Sequence, residues 1–182
     1  FREHSYRYPI IGHREVFEGV SRDDLMEYYK ARYVPNNLTV IVVGDFHRDR
    51  LKASISEHFG QASRARIEPV YLPEEPPQLA SRLQELHEDV QITRIAHGYQ
   101  VPGLSHPDTP ALDILSMILG HGDSSIFWRV LREEKQLVHS ISVTNWTPGS
   151  VGLFYISMLC DPEKRDVAMV ELQKLIRRVA SK

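Results

Sequence analysis

A single cysteine leaves this chain without any internal disulfide. Cys160 is the only one in 182 residues, so covalent cross-links play no part in the fold. That suits a reducing compartment, although oxidising compartments also hold disulfide-free proteins. Long apolar runs are missing as well. The longest, Leu38 to Val43, is broken by Thr39 and is far too short to cross a bilayer. No signal peptide is visible. Nor does one sign of charge dominate: 22 Lys and Arg face 24 Asp and Glu, a net of −2. No basic stripe alternates with aromatics, so nucleic acid and anionic membrane surfaces have no electrostatic claim on the chain. The compartment stays open, cytoplasm or periplasm if the source is bacterial.

Several chemical signatures are also lacking. Nine histidines invite a metal, but a helical ligand pair needs His at i and i+4 with a Glu between them as base. Neither His-x-x-Glu-His nor His-Glu-x-x-His occurs, and the nearest fragments are Glu57-His58 and His87-Glu88-Asp89. No Gly-x-Ser-x-Gly elbow is present, and no P-loop lysine. No residue is therefore assigned as catalytic or as a metal ligand, and no cofactor is expected within this chain. Cys160 ends an apolar strand and reads as a small core residue.

What the sequence does have is an α+β pattern. Residues 1–20 are polar, aromatic and extended, with Pro9 and Gly12 as breakers. Ser21 followed by Asp24 signals a helix start. Leu25, Met26, Tyr29 and Tyr33 follow at helical spacing, and Pro35-Asn36-Asn37 ends the helix. Leu38–Val43 is predicted to be a buried strand and Gly44-Asp45 a turn. Leu51, Ile55 and Phe59 mark a second helix closed by Gly60. Prolines 69, 73, 76 and 77 make 61–90 an inter-domain linker, and its charged part, Arg82 to Asp89, is expected to begin a strand.

A second α+β pattern follows. Ile92–Val101 reads as a strand with Ile95, His97, Tyr99 and Val101 on one side. Thr109-Pro110 is expected to cap a helix with proline at its first position. Ala111, Leu112, Leu115, Ile118 and Leu119 form its stripe, and Gly120-His121-Gly122 closes it. Ser124 or Ser125 restarts a helix with Phe127, Val130 and Leu131 inward. His139–Trp146 and Val151–Cys160 read as a hairpin around Pro148-Gly149. Asp161-Pro162 is expected to cap a last helix with Ala168, Leu172, Leu175, Ile176 and Val179 on one face. Strand, Gly44-Asp45 and helix echo strand, Cys160-Asp161 and helix as a weak internal repeat.

Two stretches carry binding chemistry. Gly120-His121-Gly122-Asp123-Ser124-Ser125 lies between helices, where glycines ahead of a helix N-terminus can hold an anion, and where a flexible joint is the simpler reading. Arg132, in Leu131-Arg132-Glu133-Glu134-Lys135, is first a solvated helix residue. It is alternatively a planar fork of donors for a carboxylate or a peptide carbonyl.

The ordered motifs resemble the insulinase/pitrilysin family, which includes the mitochondrial processing peptidases. The first group is His4-Ser5-Tyr6-Arg7-Tyr8-Pro9-Ile10-Ile11-Gly12, Ser21 to Asp24, Tyr33-Val34-Pro35-Asn36-Asn37 and Val42-Val43-Gly44-Asp45. The second is Ala111 to Leu119, Gly120 to Ser125, Leu131-Arg132-Glu133-Glu134 and Leu137-Val138-His139-Ser140. The resemblance implies antiparallel sheets with helices packed on them, half of a metallopeptidase of the processing-peptidase/LuxS-like type with its first domain truncated. Residues 1–60 then end the first domain, 61–90 link, and 91–182 form most of the second, non-catalytic domain. In the family the His-x-x-Glu-His motif and a distal Glu lie upstream of the segment matching His4 to Gly12. Zinc is therefore expected in the parent protein and not in this chain.

The resemblance also implies substrate-binding positions: Gly120, Gly122, Ser124 and Ser125 in the loop, Arg132, and His139 where the family has a tyrosine that contacts peptide backbone. Ser5 stands where the family has proline. The implied partners are a peptide or unfolded protein substrate, the zinc-bearing part of the parent and a second half-enzyme. The implied function is a segment of a zinc endopeptidase that encloses and positions peptides, inactive alone. A non-catalytic pseudo-peptidase subunit or scaffold is the first alternative and an unrelated α+β binding module the second. The chain starts at Phe1 in mid-pattern, which reads as a segment of a longer protein. Its strand Leu38–Val43 then lacks neighbours, so dimers or larger homo-oligomers are expected.

Overall fold

Local capping sets the start of a helix in the N-terminal region. Ser21 Oγ accepts from the Asp24 amide at 3.2 Å, and the Asp24 carboxylate accepts from the Ser21 amide at 2.8 Å. This reciprocal box starts α2 (Arg22–Arg32), which follows the short α1 (Arg14–Gly19). Helix α3 (Arg48–Phe59) ends at Gly60. The computed structural model describes residues 1–181 and divides into two compact units that meet in sequence at Pro73 and Glu74. In the first unit His4 and Val34 are the buried side chains among the described residues, and the three helices bury none.

The predicted strand at Leu38–Val43 does not form. The segment has no regular secondary structure and no strand partner among the described residues, and Ile41 and Val43 stand 81% and 92% exposed. A strand needs a neighbour to take its backbone groups, and without one β-branched composition produces only an extended chain. The strand expected to begin within Arg82–Asp89 is absent for the same reason: no helix or strand occurs between residues 61 and 92. The proposed repeat therefore has one structured copy, at Cys160-Asp161.

The second unit is built on a three-stranded antiparallel sheet of order β1-β3-β2. Strand β1 (Thr93–Pro102) pairs along its length with β3 (Val151–Cys160), from Thr93↔Cys160 to Pro102↔Val151. Strand β2 (Ser140–Trp146) forms the hairpin with β3. Period-two alternation sends Phe154, Ile156, Met158 and Cys160 into the core. Helix α4 (Thr109–Gly120) packs on β2, and α5 (Arg165–Ala180) adds Ala168, Leu172 and Leu175. The fold is α+β, as the periodicities predict, with the antiparallel sheet that the resemblance implies.

Three local expectations shift. Ala111 and Ile118 are exposed, and Ser116 takes the inward place beside Leu112, Leu115 and Leu119. Thr109 is the first helical residue and not the cap; its buried hydroxyl donates to the Gly103 carbonyl at 2.8 Å, tying α4 to the end of β1. Asp161 makes no capping bond, because its carboxylate is engaged elsewhere.

Candidate functional site

The glycine-containing loop leaves α4 where that helix meets the sheet. A Cβ on Gly120 would lie 2.4 Å from Val143 Cγ2 and 2.5 Å from the Val143 amide nitrogen, so only glycine lets β2 pass this close. Gly122 has a φ of +76°, the left-handed region that glycine enters at no steric cost. The turn closes with the Ser125 amide donating to the Gly122 carbonyl at 3.2 Å. Ser124 is exposed, whereas Ser125 is buried and its Oγ lacks a hydrogen-bond partner among the described residues.

After Ser125 the chain turns helical and widens. Trp128–Glu134 is a π-helix, with the Lys135 amide donating to the Val130 carbonyl at 3.1 Å. Such wide turns are rare and often mark functional sites. Phe127 and Leu131 point into the core as predicted, and Arg132 projects outward with no side-chain partner among the described residues. Neither the spacing nor the composition of this segment signals the extra residue per turn.

His139 immediately precedes β2, its amide donating to the Leu159 carbonyl at 2.7 Å. Its Nε2 lies 2.6 Å from Asp161 Oδ1. An ionised carboxylate only accepts, so Nε2 carries the proton in this contact. Lys164 Nζ lies 2.9 Å from the other oxygen. Lys164 first and His139 second hold the Asp161 carboxyl below the usual range. Sequence reasoning missed this cluster, which joins residues 22 positions apart. No hydrogen bond links Arg132 to His139 among the described residues. The structure thus gathers the four loop residues and sets Arg132 on the next helix, while His139 turns one ring nitrogen to Asp161.

The remaining candidates are inert. Burial, with Asp161 second, pushes the Cys160 thiol up, so it stays protonated and packed. His58 Nδ1 lies 2.7 Å from the Ser54 carbonyl of its own helix, and His87, Glu88 and Asp89 are exposed. Among the described residues no three His, Cys, Asp or Glu side chains converge as a metal site needs, and no helix is long and apolar enough to cross a membrane.

The peptidase M16 inactive domain matches residues 19–182. This chain belongs to that family. As an M16 inactive domain it is 31% identical over 137 residues to a zinc protease, PqqE, of Helicobacter pylori, covering 74% of this chain and 31% of that protein. It is 24% identical over 163 residues to the mitochondrial-processing peptidase subunit beta of Pongo abelii, covering 84% of this chain and 33% of that one. A crystal structure of a protease from Helicobacter pylori superposes with a TM-score of 0.78 at 28% identity, over 91% of this chain and 42% of that one. An M16 inactive domain from Pseudomonas fluorescens shares the fold, with a TM-score of 0.73 at 18% identity, over 97% of this chain and 43% of that one. The chain spans about a third of the length of the curated relatives it matches.

Proposed function

We propose that this chain forms part of the wall that encloses and positions peptide substrates in a zinc-dependent endopeptidase, and that it cuts nothing by itself. The observation that supports this reading is the match to the M16 inactive domain over residues 19–182. Relatives named as zinc proteases support zinc in the parent protein, held by residues outside this chain. The parent's zinc-bearing part and a second half-enzyme are the proposed partners; a relative named as a subunit is in keeping with that.

In this reading Arg132 offers its donors to peptide carbonyls or a carboxylate, and its exposure suits that work. Gly120, Gly122, Ser124 and Ser125 shape the adjoining loop. His139 offers Nδ1 while Asp161 holds the ring through Nε2. Incubation of the chain with zinc and unstructured peptides is expected to yield binding and no hydrolysis, and chelator-sensitive cleavage would refute the proposal. Arg132→Gln should weaken peptide binding by roughly tenfold, the worth of a charge-assisted hydrogen bond.

A further inference from the structure

Between the π-helix and α5 runs a groove of about 230 Å³ lined by Ile126, Arg129, Val130, Leu175, Arg178 and Val179. Leu175 is buried there, and Val130 and Val179 are half-buried. The two arginines are exposed, and their guanidinium groups have no partner among the described residues. No Asp or Glu lines the groove. Most other cations around α5 are matched: Lys135 and Lys174 each lie 2.7 Å from Glu171, Lys164 lies 2.9 Å from Asp161, and Arg165 pairs with Glu85, whereas Arg177 is exposed outside the groove.

We propose that this groove binds the C-terminal residue of an extended peptide, its apolar side chain in the slot and its carboxylate between Arg129 and Arg178. The inference rests on the peptide-holding reading above and adds to it a site for the free chain end. Two positive charges lining one groove that holds no acidic residue favour an anion there. The planar fork of donors on each matches a carboxylate's two oxygens. The volume is below the roughly 300 Å³ at which drug-sized ligands begin, and it suits one side chain. The apolar floor excludes a bare anion as the best occupant, because a small anion would leave Val130, Leu175 and Val179 uncovered.

Fluorescence anisotropy of this chain with a labelled unstructured peptide ending in leucine tests the site, with the same peptide amidated as comparison. The free acid should bind at least about tenfold more tightly, as loss of a charge-assisted pair implies. Arg129→Gln and Arg178→Gln should each abolish that preference, while Arg177→Gln, outside the groove, should keep it; circular dichroism confirms that each variant is folded. Equal affinity for acid and amide overturns the inference and leaves the enclosing reading standing. A preference that survives both groove substitutions also overturns the inference. Binding of neither peptide overturns both.

Discussion

Both units of this chain place apolar residues at helical spacing, more weakly in the first, and treat them differently. In the first, Leu25 and Tyr29 line one side of α2 and Tyr33 caps its end, yet all three are exposed, as are Ile41 and Val43. In the second, Ala168 and Leu172 on α5 are fully buried against a cluster that includes Phe127, Leu131, Ile156 and Met158. A helical stripe stabilises a fold only where a second layer covers it, and the three-stranded sheet is that layer. The first unit holds no strand pair to serve as one.

Paired substitutions should expose the contrast most strongly. Leu172→Ala should cost about 2–5 kcal/mol in urea unfolding, the range for a buried leucine that leaves a cavity. Ile41→Ala should cost less than about 0.5 kcal/mol, as an exposed change does. Equal costs would show that the first unit has a core after all. Gly120→Ala should cost about 1–3 kcal/mol by driving a Cβ into Val143, and it should perturb β2 amides in NMR spectra.

Smaller effects sharpen the same contrast. The exposed run at 38–43 should drive self-association of the chain, visible by light scattering as dimers or larger species. The double change Ile41→Lys with Val43→Lys should disperse them at nearly unchanged stability; a monomeric starting protein would break the comparison. The pH response should be smallest. Asp161 and Glu171 both have carboxyls held below the ordinary range, Asp161 by Lys164 and then His139, Glu171 by Lys135 and then Lys174. Their folded values lie below the unfolded ones, so their stabilisation is present above the unfolded values, 3.8 for Asp161 and 4.5 for Glu171, and is lost as pH falls through the folded values. Asp161→Asn should therefore reduce the loss of stability seen in acid urea titrations.

Much of the second unit was legible in its periodicity. The hairpin around Pro148-Gly149, the α5 stripe and the inward Phe127 and Leu131 follow from patterns of two and of three to four residues. The Ser21–Asp24 box was legible too, because its partners lie three residues apart. Leu38–Val43 misled because composition reports willingness to pair and not the presence of a partner. Arg132 and the loop glycines could be located by motif. The π-helix and the Asp161 clasp on His139 could not.

The amino-acid order alone settled part of the local vocabulary: the helix start at Ser21, the turn of the hairpin, and the apolar side of α5. These depend on contacts within a few residues, which the order of side chains specifies directly. Tertiary structure decided which apolar faces are covered, why Gly120 must lack a side chain, and how His139, Asp161 and Lys164 come together. Each of those depends on segments distant in the chain meeting across the sheet, and only the folded packing brings them within reach.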